Sequence, residues 1–154
     1  MNKKINIKKA LLLNKNEIYF SINNDIDTIA NVLKNNIKII ILAQYKQNDK
    51  YFLSEANKIR QLCAYYESLL IIHSRCDIAK IIDADGIYLN KNSIDIINAI
   101  NILGKDKLYG TFENCKNNIE LSDFTIAKNK FNSFDNNIFY INNPNSNKKV
   151  IFKI

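Results

Sequence analysis

Apolar positions along this chain switch between a period of two and a period of about three and a half, and the switches recur at short intervals. Glu17 to Ile22 (EIYFSI), rich in β-branched and aromatic residues, predicts a strand. Asn23, Asn24 and Asp25 then offer a helix N-cap, and Ile26, Ile29, Ala30 and Leu33 follow at helical spacing as far as Asn35-Asn36. Lys38 to Gln44 (KIIILAQ) is almost continuously apolar, which suits a strand covered on both faces in a parallel sheet. Asp49 to Tyr66 is the longest expected helix, with Phe52, Ala56, Ile59, Cys63 and Tyr66 on one face. Leu69 to His73 reads as a third buried strand. Asp77 to Ile82 predicts a short helix with Ile78, Ile81 and Ile82 inward, and an Ala84-Asp85-Gly86 turn opens a fourth strand, Gly86 to Asn90. Ser93 is the expected cap of a helix carrying Ile96, Ile97, Ile100 and Leu103 inward. Gly104 is its expected stop, since glycine takes the left-handed conformation without strain. Lys107 to Phe112 predicts a fifth strand, Asn114 to Leu121 a weaker helix, and Phe124 to Ala127 a sixth strand.

Five strand–helix alternations in a row predict a parallel α/β architecture with right-handed crossovers. After residue 127 the rhythm breaks. Ile138 to Ile141 and Val150 to Ile154 read as strands, but the segments between them are too short for crossover helices, and Pro144 sits in an Asn-rich turn. Two arrangements follow: a hairpin that covers the gap between the first and sixth strands, or pairing across a two-fold axis in a homodimer. The dimer is the expectation, because exposed edges recruit partners and two-fold contacts are the commonest assembly. The 154 residues suit one domain over residues 1–154 with a sizeable core. A full eight-fold barrel takes about 200 residues or more, so a barrel here is expected to be irregular at its C-terminus.

Composition narrows the function. A hydrophobic fraction of 47% excludes a disordered chain. The net charge of +7 would suit nucleic acid, but the lysines are scattered. Their densest cluster, Lys3, Lys4, Lys8 and Lys9, has no interleaved aromatics, and no helix-turn-helix, zinc-finger or RRM pattern is present. The expectation is a solvated basic surface and no nucleic-acid partner. Cys63, Cys76 and Cys115 are widely spaced without a Cys-x-x-Cys pair, as suits reduced thiols. The apolar run Ala10 to Leu13 is short for a signal peptide, and no stretch reaches the ~18 apolar residues of a membrane helix. A cytoplasmic protein with no membrane partner is expected.

Four short motifs, in order and at consistent spacing, carry a family resemblance. They are Gln44-Tyr45-Lys46 before the long helix, Ile71-Ile72-His73-Ser74-Arg75-Cys76-Asp77-Ile78-Ala79, Ala84-Asp85-Gly86-Ile87-Tyr88-Leu89, and Leu108-Tyr109-Gly110. They are similar to the Gln-x-Arg, Ile-Ile-Asn-Asp-Arg-x-Asp-x-Ala, Ala-Asp-Gly-Val-His-Leu and Gly-x-Ser strand-end motifs of the thiamine-phosphate synthase/TenI-like family. The likeness covers about residues 17 to 127. It implies a TIM-type (β/α) barrel and a link to thiamine biosynthesis. The family reaction it implies is a transfer in which magnesium-bound pyrophosphate leaves a pyrimidine methylene and a thiazole phosphate nitrogen takes its place.

Set against those motifs, much of the family's chemistry is missing here. The Asn-Asp pair that supplies one metal carboxylate aligns with His73-Ser74, and the second acidic ligand aligns with Lys91-Asn92-Ser93. Magnesium prefers hard oxygen ligands, so no resident Mg²⁺ or other cofactor is expected. The Gln-x-Arg-x-Lys set becomes Gln44, Lys46 and Asn48, and the Ser of Gly-x-Ser becomes Phe112. None of the three glycines lies past the fifth strand, where the family's phosphate loops would fall. The tautomerase histidine of TenI aligns near Asn114. The expectation is a divergent member without standard synthase or tautomerase activity that binds a small anionic, thiamine-related or phosphate-containing ligand. An active transferase and a non-catalytic scaffold are the alternatives. The expected ligand-binding residues are Gln44, Lys46, His73, Arg75 and Lys91, at the C-terminal strand ends where barrel chemistry sits. Asp85, Asp77 and Cys115 are read as structural or idle.

Overall fold

Strands form where the apolar runs are continuous, and each run is long enough to show two faces to two different cores. The computed structural model describes residues 7–9, 11, 17–21, 25–44, 46–112, 121–126 and 138–142. Six strands lie parallel in chain order: β1 (Glu17–Ser21), β2 (Ile39–Leu42), β3 (Leu69–His73), β4 (Gly86–Leu89), β5 (Leu108–Phe112) and β6 (Phe124–Ile126). A seventh, β7 (Ile138–Asn142), runs antiparallel to both β6 and β1 and closes the sheet into a barrel. The described crossover helices are α1 (Ile26–Lys34), α2 (Asp49–Tyr65), α3 (Cys76–Ile81) and α4 (Ile96–Leu103). The expected helix over Asn114 to Leu121 falls almost wholly outside the described residues.

Alternate residues of one strand feed alternate cores. Ile39 and Ile41 of β2, Leu69 and Ile71 of β3, and Tyr88 of β4 point into the barrel with Ile18, Leu108, Phe124 and Ile126. Ile40, Leu42, Leu70 and Ile72 face outward onto Ile29, Leu33, Phe52, Ala56, Ile59 and Cys63 of α1 and α2. Both faces are therefore dry, as the unbroken apolar runs require. Gly110 makes room inside: a Cβ there would lie 2.1 Å from the Phe124 ring.

β7 pairs Ile138 with Tyr19 and Tyr140 with Glu17 on one side, and Ile141 with Ile126 on the other. Pairing of Ile138–Ile141 across a two-fold axis gives way to closure within the chain, because β7 is already hydrogen-bonded along both edges. Val150 to Ile154 lies outside the described residues.

Local chemistry corrects several expected details. The cap of α4 is Asp95, which accepts the Asn98 N–H at 2.8 Å, and not Ser93. The later start turns Ile97 outward, 58% exposed, and leaves Ile96 and Ala99 buried. Ile81 is likewise exposed, while Ile78 and Ile82 are buried. Gly104 does stop α4, with φ +94° and its N–H on Ile100 O at 2.8 Å. Gly86, by contrast, serves close approach and not a left-handed turn. A Cβ there would meet Leu108 O at 2.3 Å, and the positive φ before β4 belongs to Asp83.

The N-terminal end of the barrel is tied by carboxylates. Asp85 accepts the Leu70 N–H at 2.9 Å and pairs with Lys8 at 2.8 Å and Arg60 at 2.7 Å, all but sealed from water. Asp123 repeats the device one strand pair on, accepting the Tyr109 N–H at 3.0 Å and pairing with Lys9 at 2.8 Å. Lys8 is thus a buried exception to the expected solvated lysine surface. Asp85 is structural, but through this ion cluster and not through a turn. Among the described residues no helix is long and apolar enough to cross a membrane, and Cys63 and Cys76 are buried free thiols. Cys115 lies outside the described residues.

Candidate functional site

The period-two rows that line the barrel run out at its C-terminal end, and the residues that follow them form the mouth. Counting in twos along β3, the inward row Leu69, Ile71 continues to His73. Along β4, Tyr88 is followed by Asn90. Phe20, His73 and Tyr88 make an aromatic layer over the aliphatic core: His73 stacks on Tyr88 at 5.5 Å and meets Phe20 edge-on at 5.7 Å. Above this layer opens a cleft of ≈ 460 Å³ lined by Gln44, Lys46, Gln47, His73, Ser74, Arg75, Asn90 and Asn92.

Four of the five residues expected from sequence, Gln44, Lys46, His73 and Arg75, therefore share one cleft. Lys91 is exposed and does not line it. Ser74, Asn90, Asn92 and Gln47 join the lining without having been singled out. The Phe112 side chain and Asn114 lie outside the described residues. Lys46 and Ser74 both sit at positive φ, +59° and +61°, at the points where the chain leaves β2 and β3. Such backbone strain in non-glycine residues collects where surrounding structure holds a loop in one shape.

Arg75 is the tie between the two loops. Its Nε and Nη2 grip Asp77 at 2.9 and 2.6 Å, while Nη1 reaches Asp49 at 2.8 Å and also Gln44 Oε1. Gln44 returns its Nε2 to Asp49 at 2.8 Å and to the Gln47 carbonyl at 2.9 Å. The guanidinium hydrogen bonds hold both carboxyls below the usual carboxylate range, and the two carboxylates push the Arg75 pKa further up. One guanidinium against two carboxylates leaves this corner net negative, and Lys46 offsets it. Among the described residues no carboxylate lines the cleft itself. Asp49 and Asp77 were not expected to act together. Both are sequence neighbours of mouth residues, but only the fold reveals their shared partner.

His73 is mostly buried, and desolvation pushes its pKa below the ordinary 6.5. Because the folded value lies below the unfolded one, the unfolded chain takes up the proton first. Stability is then flat above pH 6.5 and falls as pH drops from there toward the folded value, by at most ~1.36 kcal/mol per pH unit. Urea midpoints at about pH 7.5 and about pH 5.5 read this loss, and His73→Gln is expected to remove it. An equal loss in wild type and variant would assign it elsewhere. Asp49 and Asp77 add their own losses only at more acid pH, since their values are depressed.

With this geometry in view, comparison with known proteins is specific. The TMP-TENI family model, described as thiamine monophosphate synthase, matches residues 13–120. The thiamine-phosphate synthase of Prochlorococcus marinus is 35% identical over 106 residues, which cover 67% of this chain and 30% of that protein. That of Dictyoglomus thermophilum is 33% identical over 95 residues, covering 62% of this chain and 43% of that protein. The matched stretch thus spans less than half the length of either relative. Among solved structures, thiamine phosphate pyrophosphorylase from Pyrococcus furiosus superposes with a TM-score of 0.69 at 21% identity, over 78% of this chain and 63% of that one. This last likeness shows the shared fold. The family model covers well over half of the chain, so the chain belongs to the thiamine monophosphate synthase (TMP-TENI) family.

Proposed function

We propose that this protein is a thiamine-biosynthesis family barrel that binds a small phosphate-bearing ligand in its mouth and does not itself carry out the family's metal-assisted transfer. The observation that carries this reading is the cleft over the His73–Tyr88–Phe20 layer, lined by two cationic side chains, four amides, a hydroxyl and an imidazole. Amides and cations hold phosphate oxygens well. Of the aromatic layer, the His73 ring reaches the cleft and gives the heterocyclic half of such a phosphate a flat partner.

The lining does not fit a magnesium ion. Magnesium asks for carboxylates, no described carboxylate lines the cleft, and Asp49 and Asp77 beside it are both engaged by Arg75. Ser74 stands where the resemblance would place one of the family's acidic ligands, and the Lys91-Asn92-Ser93 stretch where it would place the other. No step of this reading runs through the ion.

A panel of thiazole phosphate, pyrimidine pyrophosphate and thiamine phosphate tests the ligand class by thermal shift. A ligand at ~100 times its Kd stabilises by about 2.7 kcal/mol, enough for a shift of several degrees in a domain of this size. No shift with any of the three would defeat the reading.

The second reading is an active transferase, and the names of the matched relatives favour it. The two differ in turnover. Mixing both family substrates with magnesium should give thiamine phosphate at a rate orders of magnitude below an ordinary synthase, as expected when the charges that steady a leaving group are missing. Turnover within about tenfold of such an enzyme would establish the transferase instead.

A further inference from the structure

Four side chains at the mouth form one directed chain of hydrogen bonds, and its direction settles where the proton sits on the single histidine of the sequence. The backbone N–H of Asn92 lies 2.9 Å from Asn90 Oδ1. A backbone N–H only donates, so the amide atom it meets has to be the oxygen. Ser93 Oγ, 3.1 Å from that same oxygen, must then donate to it. The lone pairs of Ser93 are left to accept the Asn90 N–H at 3.0 Å and the Ser74 hydroxyl at 2.5 Å. With its oxygen occupied, Asn90 presents its NH₂ to His73 Nε2 at 3.0 Å. A donor facing Nε2 requires that nitrogen to be bare, and a neutral imidazole bare at Nε2 carries its hydrogen on Nδ1. The ring plane is fixed as well, by stacking at 28° on Tyr88 and the edge contact with Phe20.

We propose that Asn90, oriented by Asn92 and Ser93, locks His73 as its Nδ1–H tautomer, so that His73 meets the cleft ligand as a neutral hydrogen-bond donor to an anionic oxygen. The tautomer stands on the hydrogen-bond geometry alone; the donor role rests on the phosphate-bearing ligand proposed above. Nε2, the nitrogen that would otherwise abstract a proton or bind a metal, is covered by Asn90. Nδ1 has no hydrogen-bond partner among the described residues. Asn90 is thus a positioning residue, acting through His73. Desolvation of the ring, which disfavours the imidazolium, acts in the same direction as the lock.

A single histidine makes the test direct, because ¹⁵N-histidine labelling of the full chain gives one pair of ring nitrogens. Long-range ¹H–¹⁵N spectra at neutral pH are expected to show a protonated Nδ1 and a bare Nε2. Inorganic pyrophosphate, without metal, should shift the Nδ1 signal. Asn90→Asp puts an obligate acceptor against Nε2. It should reverse the tautomer or produce the imidazolium, and weaken pyrophosphate by about tenfold. Asn90→Ala, which keeps no partner for Nε2, should give a mixture of tautomers and covers the case in which the aspartate variant fails to fold. A protonated Nε2 in the wild type, or an unchanged tautomer in both variants, overturns the lock. Pyrophosphate binding that leaves Nδ1 unmoved overturns the donor role alone. No pyrophosphate binding with the Nδ1–H form intact removes the ligand class, and the donor role with it, while the lock stands.

Discussion

Asp85→Ala is expected to destabilise the fold by about 3–5 kcal/mol while leaving ligand affinity at the mouth unchanged. Asp85 is buried at the N-terminal end of the barrel, where it neutralises Lys8 and Arg60 and accepts the Leu70 N–H. The Lys8 side chain is as deeply buried as its partner. Removing the carboxylate strands a buried ammonium and a backbone donor together. Against a typical total of about 5–15 kcal/mol, that is a large share. Asp85→Asn keeps an acceptor for Leu70 and should lose less. Lys8→Met should lose less still, since Arg60 continues to pair the carboxylate. Urea unfolding of the three variants reads the order. A loss below about 1 kcal/mol for Asp85→Ala would reduce the cluster to an ordinary surface pair.

Arg75→Ala is expected to raise the Kd for pyrophosphate by about ten- to hundredfold, more than Lys46→Ala does. The substitution acts twice. It deletes a cation at the mouth, and it releases Asp49 and Asp77, two exposed carboxylates that the guanidinium now holds. Freed, they repel an anion. Arg75→Lys should not restore binding, because an ammonium cannot grip Asp77 through two parallel N–H groups while reaching Asp49 and Gln44. Adding Asp49→Asn and Asp77→Asn to Arg75→Ala should recover part of the affinity by lifting the repulsion. If the added changes recover nothing, the charge argument fails and only the loop tie remains.

The barrel was legible because its strands are buried on both faces. Runs such as Ile39 to Leu42 and Leu69 to Ile72 can satisfy that requirement in few other ways, and the helical spacing of Phe52, Ala56, Ile59 and Cys63 admits one inward face. What sequence could not resolve were choices between near-equivalent polar groups. Ser93 and Asp95 are both good caps, and the two-residue difference decides whether Ile97 is inside or out. Closure by β7 was equally open, since an apolar strand pairs as readily with its own chain as with another.

At the mouth the same division holds. His73 was visible as the polar end of an apolar strand, and the period-two rule applied once more to β4 would have delivered Asn90 beside it. Arg75 was visible as a cation, but its contacts with Gln44 and Asp49 were not, because both residues lie about thirty positions away in the chain. Lys8 shows the opposite limit. In a run of lysines, nothing local distinguishes the one that finds a buried carboxylate.

The most direct test of the proposed site is a calorimetric titration of inorganic pyrophosphate, free of divalent metal, into the full chain and into its Arg75→Ala and Lys46→Ala variants. Saturable binding at one site, weakened in both variants and most in Arg75→Ala, is the predicted result. Absence of saturable binding, or binding that survives both substitutions unchanged, would contradict it.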